Sequence, residues 1–571
     1  MLKILFYHAN DTLGYTQNRE IFLGVASLYL NTYLNINKPS IAKQVKWLVP
    51  QQEKLTDDEL IEKIEKEQPD LFCTAHYIWN NDFLTNQIQR IKPYVDKNIL
   101  FVAGGPSVDV NINDNFFQDN PAIDYALYGA GEAGFSDLLE SILTNKKLLK
   151  INTSNIAWFD SDKNKQIVAD FVYVPQSKIS PYTTNADLMA SMTQDLLDKK
   201  YLIILPYELT RGCPYKCTFC DWNSGLTNKT TRRKGTYEEE IDLFYQLGIK
   251  GIYFADANVG QYQEDIDMVA YMAKKNIEEG AGFKIDGNFS KLRKENNLKI
   301  YHILAKGDLV TDTGGFTISV QDTNETILKN IDRPDVGWEV HVNMIKELKD
   351  NYPHKPSVIQ LIQGLPGQSV ITWKETLDTV IEHATDLQIF VSELLPASPA
   401  ARDPLYQEKW KFKYSNARRF NGTNYFTGNF TQSCESFNEK DFAEMTTMSL
   451  LYNALAIFRR QSVASFDVKE TANSFIQSER YNTLVSNLYN NWINKDKFVY
   501  TLDFGGKSIE NPLSACHFRD TAEAWAWHLQ FTKLVASHIN EDMTVTDFIK
   551  QSIKIMNGKL NANFKTKSWY I

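Results

Sequence analysis

The sequence has no run of eighteen or more apolar residues, so nothing in it is long enough to cross a bilayer as a helix. Its six cysteines are spread over 571 residues, too sparse for a disulfide framework, and a reducing cytoplasm is the expected setting. It has no excess of basic residues: the formal net charge is −9, which speaks against nucleic acid as the main partner. The opening Met-Leu-Lys-Ile-Leu-Phe-Tyr-His lacks a basic segment followed by an apolar one, so no secretory leader is expected. Internal repeats and low-complexity segments are missing too. What remains is a chain long enough for three or four domains, with an ordinary 43% hydrophobic content that allows sizeable cores.

Three of the cysteines, however, fall within eight residues, in Glu208-Leu-Thr-Arg-Gly-Cys213-Pro-Tyr-Lys-Cys217-Thr-Phe-Cys220-Asp-Trp222. Three thiolates spaced C-x3-C-x2-C on one loop are enough to hold three irons of a [4Fe–4S] cube, with the fourth iron open to another ligand. Structural clusters usually take four cysteines. A zinc loop or three unrelated thiols is the alternative; zinc asks for four ligands, and no fourth Cys or His lies nearby. Cys73, Cys434 and Cys516 are scattered elsewhere. The basic run Lys229–Lys234, with Arg232 and Arg233, follows the cysteines as either a solvated loop or an anion contact.

The hydropathy rhythm divides the chain. Residues 1–145 alternate candidate strands (Lys3–Tyr7, Gln44–Val49, Leu71–Ala75, Ile99–Ala103, Ile123–Tyr128) with candidate helices at about 18–35, 56–67, 82–96 and 132–144. Ile21, Phe22, Val25, Leu28, Tyr29 and Tyr33 give the first helix its apolar face. This is the α/β pattern of a doubly wound parallel sheet, whose ligands bind beyond the carboxyl ends of the strands. Residues 146–200 lose the rhythm and read as a linker with room for a hairpin and a short helix. Residues 201–400 carry six βα units, with strands at 202–207, 250–254, 282–286, 315–320, 357–362 and 387–394 and helices such as Thr236–Leu247 and Gln263–Glu278. Six units predict a partial (β/α)6 TIM-type barrel, two short of closure, with the cysteines after its first strand. Residues 401–571 read as a mostly helical, aromatic-rich domain, with amphipathic stretches at about 438–461, 475–495, 519–538 and 544–556. Its aromatic run from Trp410 to Phe430 is either core or the lining of a substrate pocket.

The run Arg211-Gly-Cys-Pro-Tyr-Lys-Cys-Thr-Phe-Cys-Asp-Trp222 resembles the signature of the radical S-adenosylmethionine (SAM) enzymes. The resemblance implies that Cys213, Cys217 and Cys220 carry a [4Fe–4S] cluster, that SAM chelates the open iron, and that its reductive cleavage gives a 5′-deoxyadenosyl radical. It implies an electron donor of the flavodoxin or ferredoxin type. Phe219 matches the aromatic near the adenine. The family's Gly-Gly-Glu segment is missing; Asp256 and Asn258, in Tyr253-Phe-Ala-Asp256-Ala-Asn258, stand at its place, Asp256 as the carboxylate for the SAM ammonium. Ser319 and Gln321 resemble the ribose and carboxylate contacts, Arg333 is a second carboxylate contact or a helix cap, and Gln363-Gly364-Leu365 opens a segment resembling the adenine-side turn.

Residues 1–145 resemble the Rossmann-like cobalamin-binding domain fused to one branch of that family. The likeness rests on Tyr77-Ile-Trp79-Asn80, Gly104-Gly105-Pro-Ser107 and Tyr128-Gly129-Ala-Gly131-Glu132, together with Leu13-Gly14 after strand one and Thr74 at the end of strand three. The glycines would let backbone approach the corrin and its nucleotide tail. There is no Asp-x-His-x-x-Gly, so no histidine is offered to cobalt; His76 reads as a packed residue, and Trp79 as an apolar neighbour of cobalt's lower face. Gly129-Ala-Gly131-Glu-Ala-Gly134 also matches G-x-G-x-x-G, but after the fifth strand rather than the first, where a nicotinamide fold has it.

The resemblance implies a cobalamin-dependent radical SAM methyltransferase that moves a methyl group, by way of methylcobalamin, to an unactivated carbon after hydrogen abstraction. A non-methylating enzyme that cyclises, contracts or oxidises its substrate carries the same motifs. The expected substrate is a small molecule or peptide selected by residues 401–571. A monomer is expected, with neither nucleic acid nor membrane as partner.

Overall fold

The computed structural model describes residues 1–512 apart from 11, 14–18, 78, 109, 112, 223–228, 311–314, 396–397, 421–424, 462–466, 496–498 and 505–506. Gly14, the side chain of Leu13, Cys516 and the helices expected at 519–538 and 544–556 lie outside the described residues.

Alternation of apolar residues builds the N-terminal sheet. In the strand Leu2–Asn10, Ile4 and Phe6 pack on one face with Leu71 and Cys73, while Leu5 and Tyr7 pack on the other with Phe72 and Phe101. A sheet apolar on both faces must be covered on both, and the helices Ala26–Asn37 and Glu132–Thr144 on one side and Asp57–Glu67 and Asn81–Ile91 on the other supply residues to those two cores. The strands Val45–Trp47, Leu2–Asn10, Leu71–Ala75, Leu100–Gly104 and Tyr125–Leu127 lie side by side in parallel. The helix Asn81–Ile91 is shorter than its apolar pattern, since Pro93 has no amide N–H to continue the helical ladder; a 3-10 turn, Lys92–Tyr94, takes over.

Residues 146–200 carry the expected hairpin and short helix, but the hairpin belongs to the sheet and is no free linker. Ile156–Asp160 and Lys165–Val168 form a hairpin whose first strand pairs antiparallel with Tyr125–Leu127, extending the sheet. The helix Ala186–Asp198 then leads into the barrel.

All six barrel strands are present: Tyr201–Tyr207, Gly251–Val259, Lys284–Phe289, Phe316–Gln321, Ser357–Gln363 and Asp386–Val391. Their pairing breaks once, between Lys284–Phe289 and Phe316–Gln321, so the first three and the last three form separate parallel ladders. The helix expected at 18–35 is also corrected. It begins only at Ala26, and Arg19–Phe22 is a strand that leaves the first sheet and pairs in parallel with Tyr201–Ile204 of the barrel. Ile21 fits a helical stripe, but four residues cannot fix a period, and burial in the barrel core decides the outcome.

In the C-terminal region the helices Glu439–Gln461, Val468–Ile476 and Glu479–Lys495 agree with the expected helical character. Two hairpins do not: Lys413–Phe420 with Tyr425–Ser433, and Val499–Phe504 with Lys507–Pro512. The first takes most of the aromatic run, and aromatic residues favour strands. Trp373 on the helix Val370–Ile381 fixes the long helix by donating its indole N–H to the Met445 carbonyl at 3.2 Å and to Ser449 Oγ at 3.0 Å. Among the described residues no helix is long and apolar enough to cross a membrane.

Candidate active site

The cysteine loop leaves the strand Tyr201–Tyr207 at the carboxyl end of the barrel. Its first residues, Thr210 and Arg211, pair antiparallel with Arg232 and Thr231. Gly212 has φ +88°, and a Cβ there would lie 2.3 Å from the Lys229 carbonyl oxygen, so only glycine makes this turn. Cys213 and Cys217 are buried and Cys220 half-buried. The Thr218 amide donates to the Ile331 carbonyl at 3.0 Å, and the Ala400 amide to the Thr218 carbonyl at 2.9 Å. Burial pushes the Cys220 thiol up to about 12, with Lys291 opposing; iron binding displaces such protons. Among the described residues no three His, Cys, Asp or Glu side chains converge on a point suited to a single metal ion. Three sulfurs spread over this loop suit a polynuclear cluster better than a tetrahedral zinc.

Asn258 stands over the loop and donates its Nδ2–H to Cys213 Sγ at 3.2 Å, while its Oδ1 is buried without a partner. Gln321 closes its strand with φ +69°, a strained value for a residue with a side chain, and its Oε1 is likewise buried and unpaired. Arg333 donates from Nη2 to the Ser319 carbonyl at 2.5 Å and leaves Nε unpartnered. Burial lowers the pKa of its guanidinium, and the neighbouring Cys217 and Asp335 oppose that. Lys291, which the sequence did not single out, brings Nζ to 3.9 Å from Cys213 Sγ. Buried donors and acceptors are normally satisfied; the unpaired Asn258 Oδ1 and Arg333 Nε, on residues beside Cys213 and Cys217, fit a polar ligand there.

Other expected contacts are spent inside the protein. Asp256 accepts the Leu209 amide at 2.7 Å and the Thr210 amide at 2.9 Å, so its carboxylate anchors the base of the cysteine loop. Burial raises it to about 7, against those two amides. Gln363 is fully buried; its amide bonds Thr446 Oγ1 at 2.6 Å and Ser449 Oγ at 2.7 Å, tying the barrel to the long C-terminal helix. Ser319 Oγ donates to Gln360. Gly364 (φ +91°) and Leu365 donate their amides to Gln368 Oε1 at 2.7 and 3.0 Å, forming a tight turn. Leu365 and Phe219 pack in one apolar cluster with Ile327, Ile331 and Ile362 and border one small hollow beside the cysteine loop.

At the carboxyl end of the N-terminal sheet lies a larger hollow of about 350 Å³. Thr74, Tyr77, Gly104, Gly105, Gly129, Gly131 and Glu132 line it from one side, Tyr29 from the helix Ala26–Asn37, and Glu208 and Arg211 from the barrel. Gly105 has φ +114°, and a Cβ there would lie 2.3 Å from the His76 carbonyl oxygen. Ser107 Oγ is buried and unpaired. His76 bonds Thr74 Oγ1 at 2.9 Å and Asn81 Oδ1 at 3.0 Å through its two ring nitrogens, and burial lowers it to about 4. It is a packed, neutral histidine. Asn80 is also spent: Nδ2 donates to the carbonyls of His8 and Ala75, and Oδ1 accepts from the Tyr77 amide at 2.7 Å. Trp79 is 41% exposed and stacks on Tyr77, with rings 4.6 Å apart and 4° from parallel.

Arg211 joins the two places. Its Nη1 lies 2.6 Å from Glu132 Oε1 and its Nη2 3.1 Å from Glu208 Oε2. Burial works against its charge, but Glu132 and then Glu208 more than offset that and hold it firmly protonated. Neither Arg211 nor Glu208 was a candidate from the sequence, although both lie in the cysteine run.

Residues 207–380 match the model of the Radical SAM superfamily. This stretch is a radical SAM domain, and its cofactors are a [4Fe–4S] cluster and SAM. The chain is 26% identical over 346 residues to the cobalamin-dependent radical SAM methyltransferase TokK of Streptomyces tokunonensis, covering 58% of this chain and 48% of that one. It is 26% identical over 339 residues to the 2-(S-pantetheinyl)-carbapenam-3-carboxylate methyltransferase of Streptantibioticus cattleyicolor, again 58% of this chain and 48% of the other. The matches thus span about half the length of those curated relatives. In fold, the chain is similar to the cobalamin-dependent S-adenosylmethionine radical enzyme OxsB with aqua-cobalamin bound, with TM-score 0.56 and 15% identity over 98% of this chain and 85% of that one.

Proposed function

We propose that this chain is a cobalamin-dependent radical SAM methyltransferase acting on an unactivated carbon. The observation that carries the reading is the glycine-walled hollow at the end of the first sheet, closed on its far side by Glu208 and Arg211 of the cysteine run. A 350 Å³ hollow is of the size that takes small-molecule ligands and accepts a nucleotide-sized part of a corrinoid. Gly104, Gly105, Gly129 and Gly131 along its wall fit close backbone approach to such a group. The names of the two methyltransferase relatives point the same way.

When bound, the cluster and SAM supply a carbon-centred radical, and cobalamin supplies the methyl group that the substrate radical receives. Cys213, Cys217 and Cys220 would hold the cluster. Asn258, Gln321 and Arg333 would give their unpaired atoms to SAM, and Phe219 with Leu365 would pack its apolar side. Thr74, Tyr77, Gly104, Gly105, Ser107, Gly129 and Gly131 would shape the corrinoid's place, with Trp79 and Tyr77 as a stacked apolar platform beside it. His76, with both ring nitrogens bonded, is not free to ligate cobalt. A small-molecule or peptide substrate, a flavodoxin- or ferredoxin-type electron donor and a monomeric state complete the reading.

The test is an anaerobic assay with reductant, hydroxocobalamin and methyl-labelled SAM against candidate substrates. Label in the product together with S-adenosylhomocysteine supports methyl transfer. 5′-Deoxyadenosine formed without S-adenosylhomocysteine would favour the non-methylating alternative.

A further inference from the structure

Glu132 is the first residue of the helix Glu132–Thr144, where a carboxylate is favoured by the helix dipole. A carboxylate at the rim of a hollow would ordinarily face its ligand. This one does not: it is 7% exposed and pairs with Arg211 across the boundary between the sheet and the barrel. Arg211 in turn is two residues from Cys213, separated from it only by Gly212, which packs closely against the Lys229 carbonyl. The other end of the guanidinium holds Glu208, whose carboxylate also accepts Gln176 Nε2 at 3.1 Å and whose carbonyl accepts Arg233 Nη2 at 2.9 Å. The face of Tyr29, another lining residue, covers the guanidinium at 5.5 Å. All four residues, Tyr29, Glu132, Glu208 and Arg211, therefore form both the wall of the hollow and the mounting of the cysteine loop.

From this geometry we infer that Arg211 and Glu132 are positioning residues, a clasp through which filling the hollow and loading SAM on the cysteine loop favour one another. The inference rests on the two-cofactor reading above and goes beyond it: Glu132 acts through Arg211 rather than on the corrinoid. A group seated against Gly129–Gly131 fixes the start of the helix that bears Glu132. That fixes Arg211, and Arg211 fixes the approach to Cys213. Because coupling between binding sites is reciprocal, SAM must tighten the corrinoid by the same factor as the corrinoid tightens SAM. A buried pair that loses one partner leaves an uncompensated charge, so either single substitution should release the clasp.

The experiment uses the full chain, reconstituted anaerobically with iron and sulfide. Hydroxocobalamin is titrated by tryptophan fluorescence with and without saturating SAM. Wild type is expected to bind hydroxocobalamin about fivefold or more tightly when SAM is present, the lower range of ordinary allosteric coupling. Glu132→Gln and Arg211→Gln should bring that ratio to about one, and Arg211→Lys should keep part of it. If Arg211→Gln loses iron, Glu132→Gln decides, since it leaves the cysteine run unaltered. A wild-type ratio of one, or a ratio unchanged in Glu132→Gln, would overturn the clasp while leaving the function standing. Wild type that binds no hydroxocobalamin at all would instead sink the two-cofactor reading.

Discussion

The two ends of this molecule where strands deliver ligands differ in how they are finished. At the barrel, polar side chains are left waiting: Asn258 Oδ1, Gln321 Oε1 and Arg333 Nε are buried without partners. At the N-terminal sheet His8 Nε2, Gln52 Nε2 and Ser107 Oγ are likewise buried without partners, while Thr74, His76, Asn81 and Asn80 are bonded within the protein. That end also sets glycines along its hollow, at Gly104, Gly105, Gly129 and Gly131. The two differ in their walls, largely glycine and apolar residues around the hollow at the sheet, and substitutions should separate them.

The largest effect is expected from Cys217→Ala. It should lose cluster iron and all 5′-deoxyadenosine formation while still binding hydroxocobalamin, checked by iron analysis, product chromatography and absorbance after gel filtration. Next is Gly105→Val, which places a branched side chain against the His76 carbonyl. Hydroxocobalamin affinity should fall tenfold or more, with iron content and SAM cleavage kept; loss of both activities together would break the distinction between the sites. Asn258→Ala and Gln321→Ala each remove one hydrogen bond to SAM, worth about 1 kcal/mol or several-fold in affinity. Calorimetry on reconstituted protein measures it, and an unchanged SAM affinity in both would show that the unpaired atoms serve something else.

The smallest effect concerns Asp256. Its folded pKa of about 7 lies above the unfolded value near 3.8, so the folded state holds a proton that the unfolded chain has released between those pH values. Its contribution to stability is therefore present at low pH and lost as pH rises through about 7. Relative to Asp256→Asn, wild type should lose stability between pH 4 and 7, by a few kcal/mol at most, with parallel curves above pH 8. Denaturant midpoints across that range test it; identical slopes would mean that the carboxylate is ionised throughout.

The cysteine loop was fully legible in the sequence because its chemistry depends on spacing, and spacing is a property of the chain alone. The parallel sheet was legible because strands buried on both faces read as short apolar runs separated by amphipathic ones. Arg19–Phe22 was not: four residues carry no period, and their partner, Tyr201–Ile204, is far along the chain. Asp256 was singled out as the carboxylate for the SAM ammonium, but no local pattern says that the Leu209 and Thr210 amides claim it. Gln363 is similar, with its amide held by a helix that starts at Glu439. Lys291 carried no signal, whereas Arg211 stood in the motif itself and needed only its partner Glu132 to show its use.

The central claim is that one chain holds a cluster and a corrinoid side by side. Metal analysis of the full chain, reconstituted with iron, sulfide and hydroxocobalamin and then gel-filtered under anaerobic conditions, tests it most directly. Stoichiometric retention of about four irons and one cobalt per chain is the expected result, with Gly105→Val keeping the iron and losing the cobalt. Wild type that keeps its iron but no cobalt would contradict it.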